Sequence, residues 1–165
     1  MDKIVLDELP PGFKSELAVY REWKGMTACF TCMTCASSCP VAQVEPRFNP
    51  IRIIRLALLG LEQEVLTGDE LWLCSGCYTC QERCPNNVPI TEFLTLLKNL
   101  AVQAGNAPQG IRAQEDLIKT QGRIYPLDDF DNKKRQKIDL PPLPTSCEAV
   151  DKLFVEGSGP EPADD

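Results

Sequence analysis

The stretch CFTCMTCASSCP, Cys29 to Pro40, returns in the same cysteine register as CSGCYTCQERCP, Cys74 to Pro85. A chain that repeats C-x-x-C-x-x-C-x-x-x-C-P must bring each run into a tight turn and must give its thiols something to hold. Nine cysteines stand in 165 residues that contain no histidine, and eight of them fall in the two runs. Tetrahedral zinc is satisfied by two C-x-x-C pairs or by mixed Cys/His sets, and has no use for a third cysteine at the same interval followed by Cys-Pro. The spacing matches the bacterial pattern in which three thiolates surround one corner of a cubane cluster and a fourth arrives from elsewhere. Iron–sulfur ligation is therefore the reading, with zinc or a disulfide-linked chain as its alternatives.

In two-cluster proteins of this pattern the fourth cysteine of each run serves the other cluster. Transferred to this sequence, Cys29, Cys32, Cys35 and Cys84 hold one [4Fe-4S] cluster, and Cys74, Cys77, Cys80 and Cys39 hold the second. Each cluster then ties distant segments together and stabilises the fold as well as carrying electrons. Pro40 and Pro85 lack an N–H and fix the chain direction just past the fourth ligand. Thr34, Ser75 and Gly76 are small enough to admit backbone donors to the sulfurs. Cys147, in PPLPTSCEAV, is the ninth cysteine and is expected to be a free thiol in a mobile segment.

Without histidine there is no Ser-His or Cys-His nucleophile pair, no histidine-ligated haem and no Rieske centre in this chain. No Gly-rich phosphate loop or dinucleotide fingerprint occurs. Acidic pairs such as Glu62 with Glu64, or Asp128 with Asp129, read as solvated surface. A formal charge of −7 argues against a nucleic-acid binder. Two bound clusters at about −2 each take it to about −11. Arg47, Arg52 and Arg55 either offset that charge and raise the potentials or simply solvate a helix face.

The basic run KKRQK, Lys133 to Lys137, reads as a solvated loop or a docking patch. The most apolar window, Ile51 to Leu61, is broken by Arg52 and Arg55 and is too short to span a bilayer. The N-terminus, MDKIVLDELPPGF, has no secretory pattern, so a cytoplasmic location with reduced thiols is expected.

Helical periodicity dominates and no alternating strand pattern appears, so the fold class is all-α. Phe13, Leu17, Tyr20 and Trp23 predict a helix leading into the first run, closed by Gly25. Between the runs, Asn49 as N-cap, Pro50 at the first helical position and Gly68 as stop frame a helix with Ile51, Ile54, Leu58, Leu61 and Val65 on one face. After the second run Thr91 serves as cap, Phe93, Leu94, Leu97, Leu100 and Ala104 as stripe, and Gly105 as end. A further helix runs from about Ile111 to Gln121, closed by Gly122.

Residues 1–127 form the cluster domain. Residues 128–165, with Pro126, Pro141, Pro142, Pro144, Pro160 and Pro162 in or beside them and the acidic end VEGSGPEPADD, form an extended and partly flexible tail. In that tail Ala149, Val150, Leu153 and Phe154 are an apolar set that docks on the body or on another subunit.

The segment NPIRIIRLALLGLEQEVLTGDELWLCSGCYTCQERCP, followed by ITEFLTLLKNLA, resembles the C subunit of heterodisulfide reductase, over about residues 25 to 125. The resemblance implies an α-helical ferredoxin-like fold with two [4Fe-4S] clusters. It also implies an assembly in which a flavin- and iron–sulfur-containing A subunit feeds the C subunit, and the C subunit passes electrons to a cysteine-rich iron–sulfur B subunit that reduces a disulfide. Met33 stands where members from methanogens often carry glycine, and the loop VAQVEPRFNP looks more like the bacterial or sulfur-metabolism branch. A single-electron relay with no bond-making chemistry of its own follows. A freely diffusing two-cluster ferredoxin, or an iron–sulfur module of another respiratory enzyme, is the alternative.

Overall fold

The computed structural model describes residues 12–151 and Leu153. Two sequence expectations fall outside that range: the absent secretory pattern at the N-terminus, and the flexible acidic end together with Phe154. Among the described residues every regular element is a helix, as the periodicity requires.

The chain divides between Ala107 and Pro108 into two compact units. Composition alone sets the boundary later, at 127/128. The structure puts the helix Gln109–Gln121 in the second unit, where it packs against the C-terminal helix Glu148–Asp151.

In the first unit, α1 (Phe13–Leu17) and α2 (Arg21–Lys24) replace the single helix expected there, and a 3-10 turn, Met26–Ala28, leads into Cys29. Tyr20 is extended at φ −90° and ψ 137°, which breaks the helix while keeping Phe13 and Leu17 buried and Tyr20 and Trp23 against the core. The short helix α3 (Thr34–Ser37) follows Cys32, and α4 (Pro40–Val44) starts directly after Cys39, with proline at the first helical position.

Helix α5 (Pro50–Leu59) begins as expected: the Asn49 side chain accepts from the N–H groups of Ile51 and Arg52. It ends at Gly60 rather than Gly68, because Gly60 takes the left-handed conformation at φ 83°, which suits a residue without Cβ. The chain then turns into α6 (Glu62–Leu66), which packs on both α5 and the later α8. A 3-10 segment, Asp69–Leu73, delivers the second run, and α7 (Thr79–Glu82) sits within it.

Helix α8 (Ile90–Gln103) is the axis of this unit, and α2, α6, α7 and the Asp69–Leu73 segment all pack on it. Phe93, Leu94 and Leu97 on α8 are fully buried, with Leu17, Met26, Ile54 and Leu71 around them, and the Trp23 ring tilts against Phe93 at 5.9 Å. Thr91 does not cap α8. The helix starts one residue earlier, and the Thr91 N–H donates to Gln81 Oε1 at 3.1 Å, so a side chain from α7 caps α8.

In the second unit, α9 (Gln109–Gln121) closes on Gly122 at φ 68°. A Cβ at Gly122 would lie 2.8 Å from Cys147 Cβ and 2.9 Å from Val150 Cγ2, so only glycine lets the C-terminal segment approach. Val150 of α11 (Glu148–Asp151) is buried there, whereas Leu153 is exposed.

The basic run is helical, not a loop. It forms the second half of α10 (Asp129–Gln136) and its C-cap, where the Asp128 carboxylate caps the Asp131 N–H, acids occupy the first turn and bases the last. That order complements the helix dipole and offsets the low intrinsic propensity of the segment. The proline-rich stretch is likewise tied down: Asn132 exchanges two hydrogen bonds of 2.9 Å with the Leu143 backbone, and Arg135 Nε donates to the Pro141 carbonyl.

Two cysteine-lined cavities

The two runs fold alike. Thr31 and Gly76 occupy equivalent places with φ of 63° and 68°, and Met33 and Tyr78 do so with φ of 65° and 61°. These left-handed residues coil each C-x-x-C-x-x-C segment into a tight loop that buries Cys35 and Cys80 and leaves Cys32 and Cys77 exposed. The helices that follow, α3 and α7, pack against each other, so the two loops meet back to back.

Two small cavities lie beside them. One is lined by Cys29, Cys32 and Cys35 of the first run and by Cys84 of the second, with Ile51 and Ile90 as apolar wall. The other is lined by Cys74, Cys77 and Cys80 of the second run and by Cys39 of the first, with Phe48, Pro50 and Leu94 behind them. The crossing is reinforced by Asn86, two residues past Cys84, whose side-chain amide donates to the Ala28 carbonyl at 2.7 Å. On the other side Lys98 Nζ of α8 donates to the Cys74 carbonyl at 2.7 Å.

All nine cysteines are free thiols. Among the described residues no three Cys, Asp or Glu groups converge on a point that suits one metal ion. Each cavity is lined by four thiols, three of one run and the fourth of the other, which is the number of ligands one [4Fe-4S] cluster takes. The donor set, all sulfur with no carboxylate or imidazole, is the set that iron–sulfur clusters take. Cys147 belongs to the second unit and lines neither cavity.

Electrostatics divide the thiols into outer and inner members. Cys32 and Cys77 are exposed, and each thiol donates to the hydroxyl two residues on, Cys32 to Thr34 at 3.3 Å and Cys77 to Thr79 at 3.5 Å. Once the thiol is deprotonated, the hydroxyl turns to donate, and this bond holds both thiols below the ordinary cysteine range. Cys35 and Cys80 are buried. Burial, and next the charge of Cys80, push Cys35 up to about 11. Burial also pushes Cys80 up, against the pull of the Thr91 hydroxyl. Both inner residues are thiols at neutral pH in the metal-free chain, and metal loading must expel their protons.

Cys84 Sγ accepts from the Val88 N–H at 3.4 Å, and Cys80 Sγ lies 3.4 Å from Thr91 Oγ1. Thr91 is the partner that sequence reasoning misplaces as a cap; its position as the second residue of α8, bonded back to α7, needs the tertiary contact to be found.

The arginines stand apart. Arg47 pairs with Glu45 at 3.1 Å and Arg52 with Glu70 at 3.3 Å on the surface, where both line a separate shallow groove. Arg55 is exposed. None of the three lines a cysteine cavity, so the surface-solvating role is the one the geometry supports.

Among the described residues no helix is long and apolar enough to cross a membrane. The 4Fe-4S dicluster domain family matches residues 25–88, the segment that holds both runs. The chain is 41% identical to the C subunit of the ferredoxin:CoB-CoM heterodisulfide reductase of Methanosarcina mazei over 129 residues, 78% of this chain and 79% of that one. It is 33% identical to the iron-sulfur subunit designated C 2 of the CoB–CoM heterodisulfide reductase of Methanocaldococcus jannaschii, covering 94% of this chain and 87% of the relative. A third relative, the C subunit of the H(2):CoB-CoM heterodisulfide,ferredoxin reductase of Methanothermobacter thermautotrophicus, is 35% identical over 76% of this chain and 71% of its own.

Proposed function

Because the chain belongs to the family of heterodisulfide reductase C subunits and is an iron–sulfur electron-transfer protein carrying [4Fe-4S] clusters, we propose that it is the relay subunit of a heterodisulfide reductase-like complex. It takes single electrons from a flavin-containing A subunit and passes them to a cysteine-rich B subunit that reduces a disulfide. The observation that carries this reading is the pair of cavities, each lined by three thiols of one run and the fourth of the other. Cys29, Cys32, Cys35 and Cys84 hold one cluster, and Cys39, Cys74, Cys77 and Cys80 hold the other. Bound there, each [4Fe-4S] cluster supplies a reversible one-electron centre.

The chain's own residues do the rest. Cys32 and Cys77 bring one edge of each site to the surface, where a partner can approach. Buried Cys35 lies close enough to Cys80 to feel its charge, and α3 and α7, which carry these two residues, pack against each other, so the two sites are neighbours. Apolar walls exclude water from the inner thiols, and the hydroxyls of Thr34 and Thr79 stabilise negative charge at the outer ones.

Single Cys-to-Ser variants with iron analysis and electron paramagnetic resonance test the ligand sets. Cys84→Ser is expected to perturb the same signal as Cys32→Ser, and Cys39→Ser the same signal as Cys77→Ser, while Cys147→Ser leaves both signals and the iron content unchanged. Pairing of Cys84→Ser with Cys77→Ser would sink the exchange. Native affinity purification tests the assembly: a flavoprotein and a second cysteine-rich protein are expected to co-purify, and isolation of a lone, fully active carrier would favour a diffusing ferredoxin.

A further inference from the structure

The runs match in register, loop geometry and outer hydroxyls, yet their inner sulfurs differ. Cys80 Sγ lies 3.4 Å from Thr91 Oγ1 inside the core, whereas no hydroxyl reaches Cys35 among the described residues, and the first cavity presents Ile51 and Ile90 instead. Thr91 is 2% exposed and is the buried polar side chain of the described core. Its backbone is already served: the N–H donates to Gln81 Oε1 and the carbonyl accepts from the Thr95 hydroxyl. The side-chain hydroxyl therefore has the sulfur as its hydrogen-bond partner. Gln81 follows Cys80 directly and pins the first turn of α8, so the sulfur and the hydroxyl are held by one short, closed set of contacts.

A sulfur bound to metal carries no proton, so the hydroxyl is the donor. A donor to a ligating thiolate stabilises negative charge, and negative charge grows when a cluster is reduced, so such a bond favours the reduced form. Burial strengthens the effect because no water competes for either group. The first cavity has its own extra donor, the Val88 N–H to Cys84, but that one belongs to the backbone and is out of reach of side-chain substitution.

We propose that Thr91 is a positioning residue that sets the reduction potential of the centre held by Cys39, Cys74, Cys77 and Cys80 without touching the other centre. This inference rests on the two-cluster reading above.

The test is a redox titration of the intact, cluster-loaded chain with electron paramagnetic resonance readout, comparing wild type with Thr91→Val, Thr91→Ala and Thr91→Ser. Thr34→Val and Thr79→Val identify which transition belongs to which cavity, since each removes an outer hydroxyl from one of them. Thr91→Val is expected to lower the midpoint of the transition that also moves in Thr79→Val, leaving the one that moves in Thr34→Val in place, and Thr91→Ser is expected to restore it. Should Thr91→Val fail to load, Thr91→Ala, which has no branched carbon to crowd the sulfur, carries the same expectation. Two unmoved transitions, or two that move together, overturn the inference, because a purely structural threonine would change stability and not one potential. Wild-type protein without two reducible centres would instead overturn the functional reading, and the role of Thr91 with it.

Discussion

Met33 and Tyr78 hold left-handed backbone with ordinary side chains, at φ of 65° and 61°, and both residues are about half exposed. For an L-residue this region costs roughly 1–2 kcal/mol, while glycine enters it freely and gives up about 0.5–1 kcal/mol of unfolded-state entropy. Thr31 is in the same condition, but its counterpart in the second run is Gly76, which shows that the loop accepts glycine at such a place. Met33→Gly is therefore expected to stabilise the loaded protein by about 0.5–1 kcal/mol, measured by anaerobic denaturant unfolding. A loss of stability would mean that the half of the methionine still covered contributes more than the backbone strain removes. The proposed ligands are read from spacing alone, and the structure lines each cavity with three thiols of one run and the fourth of the other. The residues that tune those sulfurs are only partly legible in the sequence. Thr34 and Thr79 stand two places from a cysteine and follow from local geometry, but Thr91 reaches Cys80 from the next helix.

Helix starts in this chain are local chemistry, and helix stops are decided by packing. Asn49 and Pro50 announce α5 in the letters, and the structure finds both N–H groups of its first turn on the Asn49 side chain at 3.0 and 3.3 Å. Asn49→Ala removes that acceptor and is expected to cost about 1 kcal/mol, within the roughly 0.5–2 kcal/mol range of such caps, with no change in iron content. A thermal or denaturant midpoint equal to wild type would show that solvent satisfies those N–H groups equally well. The stop is a different matter. Gly60 and Gly68 are both plausible ends, and apolar periodicity runs through the first as if it were absent, since Leu61 and Val65 stay in phase. Breaking at Gly60 lets α6 swing so that Val65 and Leu66 bury against α8, a gain the sequence does not advertise. Helix α10 is hidden for the opposite reason. Its charge hides any apolar stripe, and its Asp-first, Lys-last order together with the Asn132 clamp on Leu143 supplies what periodicity lacks.

At the scale of the whole molecule, the metal sites and the hydrophobic core of the first unit are one construction. Residues from both runs wall each cavity, and the helices that carry the inner thiols Cys35 and Cys80, α3 and α7, pack on α5 and α8 respectively. A domain of this size is stable by about 5–15 kcal/mol, and structural metal sites in small domains contribute about 10–16 kcal/mol, so the two quantities are comparable. Removing the clusters leaves the runs joined mainly by the α3–α7 contact and the Asn86 bond to Ala28. The second unit contains no cavity thiol, and its own ties run between Gly122 and Val150, and between Asn132 and Leu143. Chelation of iron under reducing, oxygen-free conditions is thus expected to act unevenly. Backbone amides of residues 29–39 and 74–84 should exchange roughly tenfold faster or more, the loss of protection spreading into α8, while those of α9 change little. Hydrogen exchange read by mass spectrometry resolves these segments directly. Uniform loss of protection through residue 121 would show that the second unit folds only on the loaded first one, and unchanged protection at the cysteine runs would show that the core alone holds them in place.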